Sequence, residues 1–473
     1  MTLSHPLRRL ATLALLLTLS LAAGAAAEPP DTPAGRVFSA WLAALNSGDA
    51  ATVQAFDARH RREPRPVERT LEFRRQTGGF TLVRIEQSAP RALTALLRER
   101  ADPDHLARLE LAVDDADPPR LTASRLELVP PPPELAPARL TQPAALAALV
   151  AKADEEAAAD RFAGVLLVAQ DGQPKLQRAW GPADRATGAP LTLDSRFRIG
   201  SMNKMFTAVA VLQLVQAGKL GLDDPLAKHL PAYPNRDFAA RVTVRQLLNH
   251  SGGAGDIFTD AYWDQRERVR DIADYLALFG ARAPTHEPGS RFDYANYGYV
   301  LLGALIEAAS GQGYDAYLQT HVFGPAGMTA TGAAPETEAV PQRVPGYQRE
   351  GQAWRPNTDT LPWRGTPAGG GYSTAGDLLR FAQALQGGKL LAPALLAQAT
   401  QAQPPAPDYG WGFGVRGEGA LRRHGHNGGA PGMNGDLRIF PELGVVVIAL
   451  SNLDPPAASR LADFYTARMP ASR

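Results

Sequence analysis

The sequence contains no cysteine, only six lysines among its 473 residues, and almost no net charge. The absence of cysteine excludes thiolate nucleophiles, thiolate-bound zinc, iron–sulfur clusters and disulfide bonds. Because 49 basic residues are balanced by 48 acidic ones, there is no electrostatic reason to expect a nucleic-acid or acidic-membrane partner. Any covalent catalysis by this chain must therefore use a nucleophile other than a thiol.

Low-complexity sequence and long apolar segments are also absent. The 44 glycines and 40 prolines form a smaller share than in low-complexity chains, and 45% of the residues are hydrophobic. Beyond the N-terminus, no apolar run approaches the ~20 residues that span a bilayer. The sequence therefore predicts a globular protein of two or three domains, with no transmembrane anchor once the N-terminus is removed.

Residues 1–27 have the three-part pattern of a secretory signal peptide. Arg8 and Arg9 form a positive start, residues 10–23 form an apolar stretch, and three alanines at 25–27 provide a small-residue cleavage site. The alternative, a membrane anchor, is disfavoured because this apolar stretch is too short to cross a bilayer. We therefore expect a bacterial protein that is exported to the periplasm or secreted.

Four consecutive prolines at positions 130–133 divide the rest of the chain. Such a run lacks backbone donors and is stiff, so we expect a linker over residues 130–142. Residues 28–129 contain one helix with apolar residues at helical spacing and then alternating, strand-like runs at 80–85, 109–113 and 126–129. They predict a small α+β domain, whose order of elements resembles the cone-shaped nuclear-transport-factor-like domains.

The strands of the second domain, residues 143–473, occur at its two ends. Two hairpins are predicted, one at residues 165–177 around Asp171 and Gly172 and one at residues 436–450. Between them the sequence is mostly helical. Because strands at both ends of the domain must bury apolar faces, we expect them to join in one antiparallel sheet. Helices pack on this sheet and form a helical subdomain, which makes the fold class α+β.

A serine and a lysine stand one helical turn apart at the start of an apolar helix. Ser201 precedes Lys204 by three positions, and apolar residues continue at helical spacing as far as Gly218. A desolvated lysine loses its charge more readily and can then accept the proton of a serine hydroxyl. The alternative is that Ser201 only caps the helix and that Lys204 is solvated. The Ser-x-x-Lys pattern by itself does not decide between them.

Two further motifs follow along the chain. Tyr294 and Asn296 belong to a Tyr-Ala-Asn segment before an apolar run, which predicts a phenol in the loop that enters a helix. His426 stands shortly before Gly428 and Gly429, at the start of the terminal strands. These glycines would allow a substrate to approach the strand edge without a side-chain clash. The tyrosine is a candidate for proton transfer, and the other residues are candidates for substrate binding.

The tyrosine and histidine motifs each have a second match elsewhere in the chain. Tyr233 also stands two residues before an asparagine, and His250 stands two residues before a glycine. We expect His250 to brace a loop near the site rather than to react. His424 and His426 form a His-x-His pair, but without adjacent carboxylates or thiolates they predict no metal site. The Gly-x-Ser-x-Gly and His-Glu-x-x-His motifs of other hydrolases do not occur.

The order Ser201, Tyr294, His426, with the histidine beside the terminal strands, resembles the serine β-lactamase and penicillin-binding-protein superfamily. The resemblance covers roughly residues 145–455 and is greatest to the class C β-lactamase-like branch, which includes D-alanyl-D-alanine carboxypeptidases, esterases and D-amino-acid amidases. The supporting segments are Phe-Arg-Ile-Gly-Ser at 197–201, Leu-Leu-Asn-His-Ser-Gly-Gly at 247–253, Tyr-Ala-Asn-Tyr-Gly-Tyr at 294–299 and Gly-Gly-Gly-Tyr-Ser-Thr-Ala-Gly-Asp at 369–377. It implies a β-lactamase/transpeptidase-like fold.

The resemblance implies a role for each candidate in the first two motifs. Ser201 would be the acylated nucleophile. Lys204 and Tyr294 would share its activation and the protonation of the leaving group. Asn296 would either bind the substrate amide or hold Lys204 in place.

The resemblance also implies roles for the third motif. His426 stands where many β-lactamases have the lysine of Lys-Thr-Gly, and a histidine near neutral pH holds a substrate carboxylate less firmly than lysine. Gly428 and Gly429 would form the substrate-binding strand edge. The backbone N–H groups of Ser201 and Gly429 would stabilise the oxyanion of a tetrahedral intermediate.

Two classes of function remain at this point. The favoured one is an exported serine hydrolase that acts through a Ser201 acyl-enzyme on the amide or ester carbonyl of a D-alanyl peptide, an ester or a β-lactam. The alternative is a catalytically weak penicillin-binding or sensing protein with the same fold. The expected partner is a small-molecule or peptidoglycan-derived substrate, and neither a cofactor nor a metal is expected. The sequence does not rank these substrates or predict an oligomeric state.

Overall fold

The computed structural model describes residues 28–63, 65–351 and 353–473. The signal peptide predicted over residues 1–27 therefore lies outside the described residues. The chain divides into two compact units, one ending at Ala136 and the other spanning Pro137–Arg473. Within the described ranges, no helix is both long and apolar enough to cross a bilayer.

The N-terminal unit consists of three helices followed by an antiparallel sheet. The helices are α1 (Pro33–Ser47), α2 (Ala50–His60) and α3 (Val67–Thr77), and the strands are β1 (Phe80–Ala89), β2 (Ala92–Glu99), β3 (Leu106–Val113) and β4 (Leu121–Val129). Strands adjacent in the chain are neighbours in the sheet. Val37 and Phe38 of α1 belong to the same apolar cluster as Leu97 and Leu109 of the sheet. Strand β2 and helices α2 and α3 were not among the elements predicted from the sequence.

The C-terminal unit contains a six-stranded antiparallel sheet. Its strands are β5 (Gly164–Gln170), β6 (Gln173–Trp180), β11 (Gly414–Arg416), β12 (Arg423–Ala430), β13 (Met433–Phe440) and β14 (Val445–Ser451). Their order is β11-β12-β13-β14-β5-β6, and β14 pairs with β5 so that Val447 lies opposite Val168. The prediction that strands from both ends of the domain share one antiparallel sheet is confirmed. Two-stranded pairs are formed by β7 (Phe197–Arg198) with β10 (Tyr372–Ser373) and by β8 (Tyr347–Glu350) with β9 (Ala353–Pro356).

Both predicted hairpins are present in this sheet. Strands β5 and β6 are joined at Asp171 and Gly172, whose φ angles of 50° and 75° suit the left-handed turns that match strand twist. Strands β13 and β14 are joined by residues 441–444, and Gly444 has a φ of 65°. Local turn chemistry therefore located both hairpins correctly.

The two faces of the sheet are covered by different helices. The helices of this unit are α4 (Gln142–Ala158), α5 (Asn203–Gln216), α6 (Leu226–His229), α7 (Arg236–Arg241), α8 (Val244–Leu248), α9 (Asp260–Trp263), α10 (Ile272–Phe279), α11 (Asn296–Ser310), α12 (Tyr314–Leu318), α13 (Gly324–Ala326), α14 (Ala375–Gln386), α15 (Pro393–Ala399) and α16 (Ala457–Arg468). Val447 packs in one cluster with Leu149 of α4 and Leu461 of α16. Ile448 belongs to the cluster that contains α5. Because alternate residues face opposite helical layers, β14 is apolar from Val445 to Leu450.

Helix α5 fixes the position of the candidate nucleophile. Ser201 lies in a short 3-10 turn, Gly200–Met202, that leads directly into α5. The spacing of the apolar residues predicts a helix with one apolar face, but the residues from Asn203 to Leu212 are all buried. Such burial is typical of a helix enclosed by the core on every side. Lys204, one turn after Ser201, is therefore held in the protein interior.

Candidate active site

Lys204 is the fully buried cationic side chain at the centre of the candidate site, with 0% of its surface exposed. Its Nζ lies 3.2 Å from Ser201 Oγ, 2.8 Å from Asn296 Oδ1 and 2.5 Å from the backbone oxygen of Ala368. No carboxylate of the described residues contacts this amine directly. The structure thus brings together Ser201, Lys204 and Asn296, three of the residues predicted for the site.

The oxygens around Lys204 match the hydrogen-bonding needs of a neutral amine. Asn296 Oδ1 and the Ala368 carbonyl oxygen are acceptors, so they take the two N–H groups and leave the nitrogen lone pair for the Ser201 hydroxyl. Burial lowers the pKa of Lys204 from 10.5 to about 7, although Asp256 acts in the opposite direction. Near neutral pH, the unprotonated amine is therefore well populated and able to accept the proton of Ser201.

Asn296 connects Lys204 to a carboxylate that the sequence analysis did not include. Asn296 is the first residue of α11. Its Oδ1 accepts from Lys204, and its Nδ2 donates to Asp256 Oδ1 at 2.8 Å. Asp256 lies in the loop between α8 and α9, and its residue surface is exposed. The side chain of Asn296 is thus fixed at both ends.

Tyr294 lies beside both members of the Ser201–Lys204 pair. It occupies the loop two residues before α11, as predicted, and 39% of its surface is exposed. The centroid of its ring lies 4.7 Å from Lys204 Nζ. Desolvation raises the pKa of the Tyr294 phenol above its ordinary value, and the neighbouring Ser201 side chain opposes this shift. The phenol is therefore protonated at neutral pH and has a proton to donate.

His250 supports the loop that holds Tyr294. The two ring centroids are 4.2 Å apart, and His250 Nδ1 accepts a hydrogen bond from the Ala295 N–H at 3.1 Å. Because Nδ1 is the acceptor, the proton of the neutral imidazole is on Nε2. Burial lowers the pKa of His250 well below its ordinary value, and the neighbouring Lys204 and His426 act in the same direction. The buried, uncharged ring lies where a loop-bracing residue was expected.

His426 lies in strand β12 with both ring nitrogens occupied. Nδ1 is 2.5 Å from the Asn427 carbonyl oxygen, so it donates. Nε2 is 2.9 Å from Tyr409 Oη and therefore accepts from the phenol. Desolvation lowers the pKa of His426 to about 3, with Lys204 acting in the same direction. His426 is consequently neutral, and neither nitrogen is available to bind a substrate carboxylate.

The glycines of β12 allow this strand to approach the Ser201 turn closely. A Cβ on Gly428 would lie 1.9 Å from the Ile199 backbone oxygen and 3.1 Å from the Ser201 nitrogen. The nitrogen of Gly429 lies 3.1 Å from the point where a Cβ on Gly200 would lie. Only residues without a Cβ fit this approach. The backbone N–H of Ser201 therefore belongs to this short turn, and the backbone N–H of Gly429 lies beside the turn.

Tyr233 and His424, two other residues singled out in the sequence, belong to the surrounding packing. Tyr233 is buried, and its hydroxyl oxygen lies 3.2 Å from that of Tyr297. His424 packs edge-on against Phe413, and burial lowers its pKa to about 4. Across the described residues, no group of three or more His, Asp or Glu side chains is arranged to hold a metal ion.

Three contacts of the site have no clear signature in the sequence. Ala368 acts through its backbone oxygen, which every residue type possesses. Asp256 and Tyr409 stand far in the chain from their partners Asn296 and His426, by 40 and 17 positions. The short segment Ala-Gly-Asp that ends at Asp256 contains only a loop signal. These residues become part of the site only when the chain is folded.

One family model matches most of the C-terminal unit. The model described as "Beta-lactamase" matches residues 146–469, which is more than half of the chain. The chain belongs to the β-lactamase family. As the resemblance implied, its mixed architecture, with an antiparallel sheet and packed helices, is the β-lactamase/penicillin-binding-protein fold. Within this family, the chain is a serine hydrolase.

The chain is also similar to individual proteins of known name. Penicillin-binding protein 4 of Amycolatopsis lactamdurans is 32% identical over 295 residues, which cover 58% of this chain and 76% of that protein. Esterase EstB of Burkholderia gladioli is 31% identical and is matched over 53% of this chain and 73% of its own length. The crystal structure of a penicillin-binding protein from Bacillus halodurans superimposes with a TM-score of 0.60 at 30% identity. The superposition covers 65% of this chain and 97% of the Bacillus halodurans chain.

Proposed function

We propose that this protein is an exported hydrolase that forms an acyl-enzyme on Ser201 and releases it to water. The observation that carries the proposal is the arrangement of Lys204. Its buried amine has acceptors for its N–H groups in Asn296 and Ala368, and its lone pair is left for Ser201. With a pKa of about 7, this amine supplies the base that an ordinary serine hydroxyl lacks.

Acylation proceeds in two proton-coupled stages. The Ser201 proton passes to Lys204 Nζ while Oγ forms a bond to the substrate carbonyl carbon, and the carbonyl oxygen becomes an oxyanion. The N–H groups of Ser201 and Gly429 stabilise that oxyanion. When the bond to the leaving group breaks, Lys204 and the phenol of Tyr294 return a proton to it. The acyl group remains on Ser201 Oγ.

Deacylation uses the same residues with water as the nucleophile. A water molecule loses a proton to the Lys204–Tyr294 pair, and its oxygen attacks the acyl carbon. The bond to Ser201 Oγ then breaks, and the alcohol is reprotonated. The acid product leaves, and the neutral amine of Lys204 is restored.

The environment of His426 favours esters and uncharged amides as substrates over molecules with a carboxylate beside the reacting bond. D-Alanyl peptides and penicillins carry such a carboxylate, which requires a cation or several donors for tight binding. The ring of His426 is neutral, and its nitrogens are bonded to Asn427 and Tyr409. Strand β12 at Gly428 and Gly429 still offers backbone groups to an extended substrate.

Intact-protein mass spectrometry tests the acyl-enzyme. The wild-type protein and Ser201→Ala are each treated with p-nitrophenyl acetate, a penicillin and a D-alanyl-D-alanine peptide. We expect a Ser201-dependent adduct, formed fastest with the ester. Ser201→Ala retains all six lysines, so it controls for non-specific acylation of amines. Equal labelling of the two proteins would contradict the proposal.

The rate at which the adduct decays separates the hydrolase from a sensing protein. Turnover of the ester with a short-lived adduct supports the hydrolase. A penicillin adduct that persists for hours, with no turnover of ester or peptide, would instead favour a penicillin-binding sensor. Ser201→Ala should unfold at nearly the same temperature as the wild type, since only a partly buried hydroxyl is removed.

The proposal also includes export of the protein and an assignment for its N-terminal unit. The pattern at residues 1–27 supports export, and N-terminal sequencing of the native protein should find a start near residue 28. A mature protein that retains Met1 would contradict cleavage of this segment. The sequence of three helices and four antiparallel strands supports the resemblance of residues 28–129 to nuclear-transport-factor-like domains, and residues 130–142 would link them to the hydrolase domain.

A further inference from the structure

We propose that Asp256 is a positioning residue for catalysis, because it holds the Asn296 amide in the one orientation in which its oxygen faces Lys204. Asp256 Oδ1 accepts a hydrogen bond from Asn296 Nδ2 at 2.8 Å. On the other side of the same amide, Asn296 Oδ1 lies 2.8 Å from Lys204 Nζ. This role deepens the proposed acyl-enzyme mechanism and rests on it.

The chemistry of the carboxylate decides which way the amide faces. An asparagine side chain has one accepting end and one donating end of nearly equal size, so it can bind in two orientations. An ionised carboxylate only accepts hydrogen bonds. If Asn296 were rotated by 180°, its oxygen would face Asp256, and two acceptors would be in contact. Asp256 therefore permits a single orientation of Asn296.

The orientation of Asn296 matters because Lys204 must keep its lone pair for Ser201. With the Asn296 oxygen toward Lys204, the amine donates to it and to the Ala368 carbonyl, and the lone pair remains free. With the Asn296 NH2 group in that place, the lone pair would accept from the amide instead. Lys204 would then be unable to take the proton of Ser201. A wrongly oriented Asn296 would thus remove the base without removing any catalytic residue.

The loop that carries Asp256 is itself held in place. The Arg282 guanidinium donates to the backbone oxygens of Asp256 and Ala254, at 2.7 Å in both cases. The Asp256 carboxylate also accepts from the N–H of Ile257 at 2.6 Å. These bonds fix the carboxylate before a substrate arrives, so Asn296 is oriented in the free enzyme.

Asp256 has a second, electrostatic effect on the base. Its negative charge stabilises the ammonium form of Lys204 and so acts against the lowering of the pKa by burial. The other titratable groups that face Lys204 are the phenols of Tyr294 and Tyr299 and the imidazoles of His250 and His426. Both phenols and both imidazoles are neutral at pH 7, because burial disfavours their charged forms. Asp256 is therefore the charged neighbour whose removal should move the titration of Lys204.

The pH dependence of kcat/KM for an ester tests this role with two substitutions. Asp256→Asn removes the charge and keeps a similar shape. The pKa of Lys204 should then fall, and the rising limb of the plot of kcat/KM against pH should move to lower pH. Asp256→Ala also removes the hydrogen bond to Asn296, and kcat on the plateau should fall by ~10- to 100-fold. Asp260→Asn is the matched control, because Asp260 is an exposed carboxylate at the start of α9 in the same segment. Its substitution should leave both the limb and the plateau unchanged.

The outcomes separate this inference from the proposed function. A limb that moves in Asp256→Asn but not in Asp260→Asn, together with the loss in Asp256→Ala, supports the inference. A plateau loss in Asp256→Ala, together with an unmoved limb in Asp256→Asn, would give Asp256 only a structural role and would overturn the inference. Unchanged kinetics in both variants would overturn it as well. If the wild-type protein forms no adduct on Ser201, the proposed function itself fails, and that result is obtained before any Asp256 variant is measured.

Discussion

Two buried cations in the C-terminal unit have opposite environments. Lys204 on α5 is surrounded by the neutral oxygens of Ser201, Asn296 and Ala368. Arg438 on β13 instead makes two hydrogen bonds to the Asp436 carboxylate, at 3.0 and 2.7 Å, and an ion pair with Asp463 at 2.8 Å. Both side chains are at least nine-tenths buried. The difference between them lies in the charge of their partners.

These partners shift the pKa values of Lys204 and Arg438 in opposite directions. Desolvation acts on both cations, and for Lys204 it prevails and lowers the pKa to about 7. For Arg438 the carboxylates of Asp436 and Asp463 more than offset desolvation, and the pKa lies above its ordinary value. The comparison shows that burial with neutral acceptors produces a base, whereas burial with carboxylates produces a permanent charge. The first serves the proposed chemistry, and the second joins β13 to α16.

Replacing Lys204 should give the largest effect on activity. In Lys204→Met, ester turnover should fall by ~10⁴-fold or more, since Ser201 loses its base. Thermal unfolding should occur at the same or a higher temperature, because methionine fills a similar volume and leaves no buried amine. Turnover and thermal scans of the same preparation check both statements. A variant that retains a tenth of the wild-type rate would show that Lys204 is not the base.

Replacing Arg438 should affect stability rather than activity. Arg438→Met leaves Asp436 buried without its cation, which should cost about 3–5 kcal/mol in the free energy of unfolding. Because Arg438 faces Thr466 on the α16 side of the sheet, kcat per folded molecule should stay near the wild-type value. Denaturant unfolding and active-site titration measure the two quantities. A large loss of kcat in fully folded protein would contradict the proposed separation of roles.

A carboxylate beside Lys204 should make its environment resemble that of Arg438. In Asn296→Asp, the new negative charge stabilises the ammonium form and raises the pKa of Lys204. Wild-type kcat/KM should rise with pH through about 7, and this limb should move to higher pH in the variant. At pH 7 we expect a loss of ~10- to 100-fold, partly recovered at pH 9. A loss that is equal at both pH values would contradict a change in the titration of Lys204.

The last expected effect is on the pH dependence of stability. The unfolded chain binds a proton at Lys204 up to about pH 10.4, whereas the folded protein releases it near pH 7. Between these values the unfolded state binds more protons, so the contribution of Lys204 to stability rises with pH. The stability of the wild type relative to Lys204→Met should therefore increase from pH 7 to 10. A constant difference would mean that the two states titrate alike.

The elements that depend on local sequence were predictable. The turn at Asp171 and Gly172 located the first hairpin, and the pattern of apolar residues located seven of the fourteen strands that the structure describes. Strand β2, residues Ala92–Glu99, was missed although its neighbours β1 and β3 were found. It belongs to the sheet because Leu97 pairs with Leu82 on one side and Ala107 on the other. Such pairing is a non-local contact, so a single segment does not reveal it.

The sequence by itself determined the residue types and the one-turn spacing of Ser201 and Lys204, together with the loop position of Tyr294 before α11. The tertiary structure decided their chemical state. The pKa of Lys204 falls to about 7 because residues 203–212 of α5 are all buried, and Asn296 and Ala368, 92 and 164 positions away, accept its N–H groups. Desolvation arises only on folding and lowers the pKa of Lys204, and hydrogen bonds between distant segments leave its lone pair for Ser201.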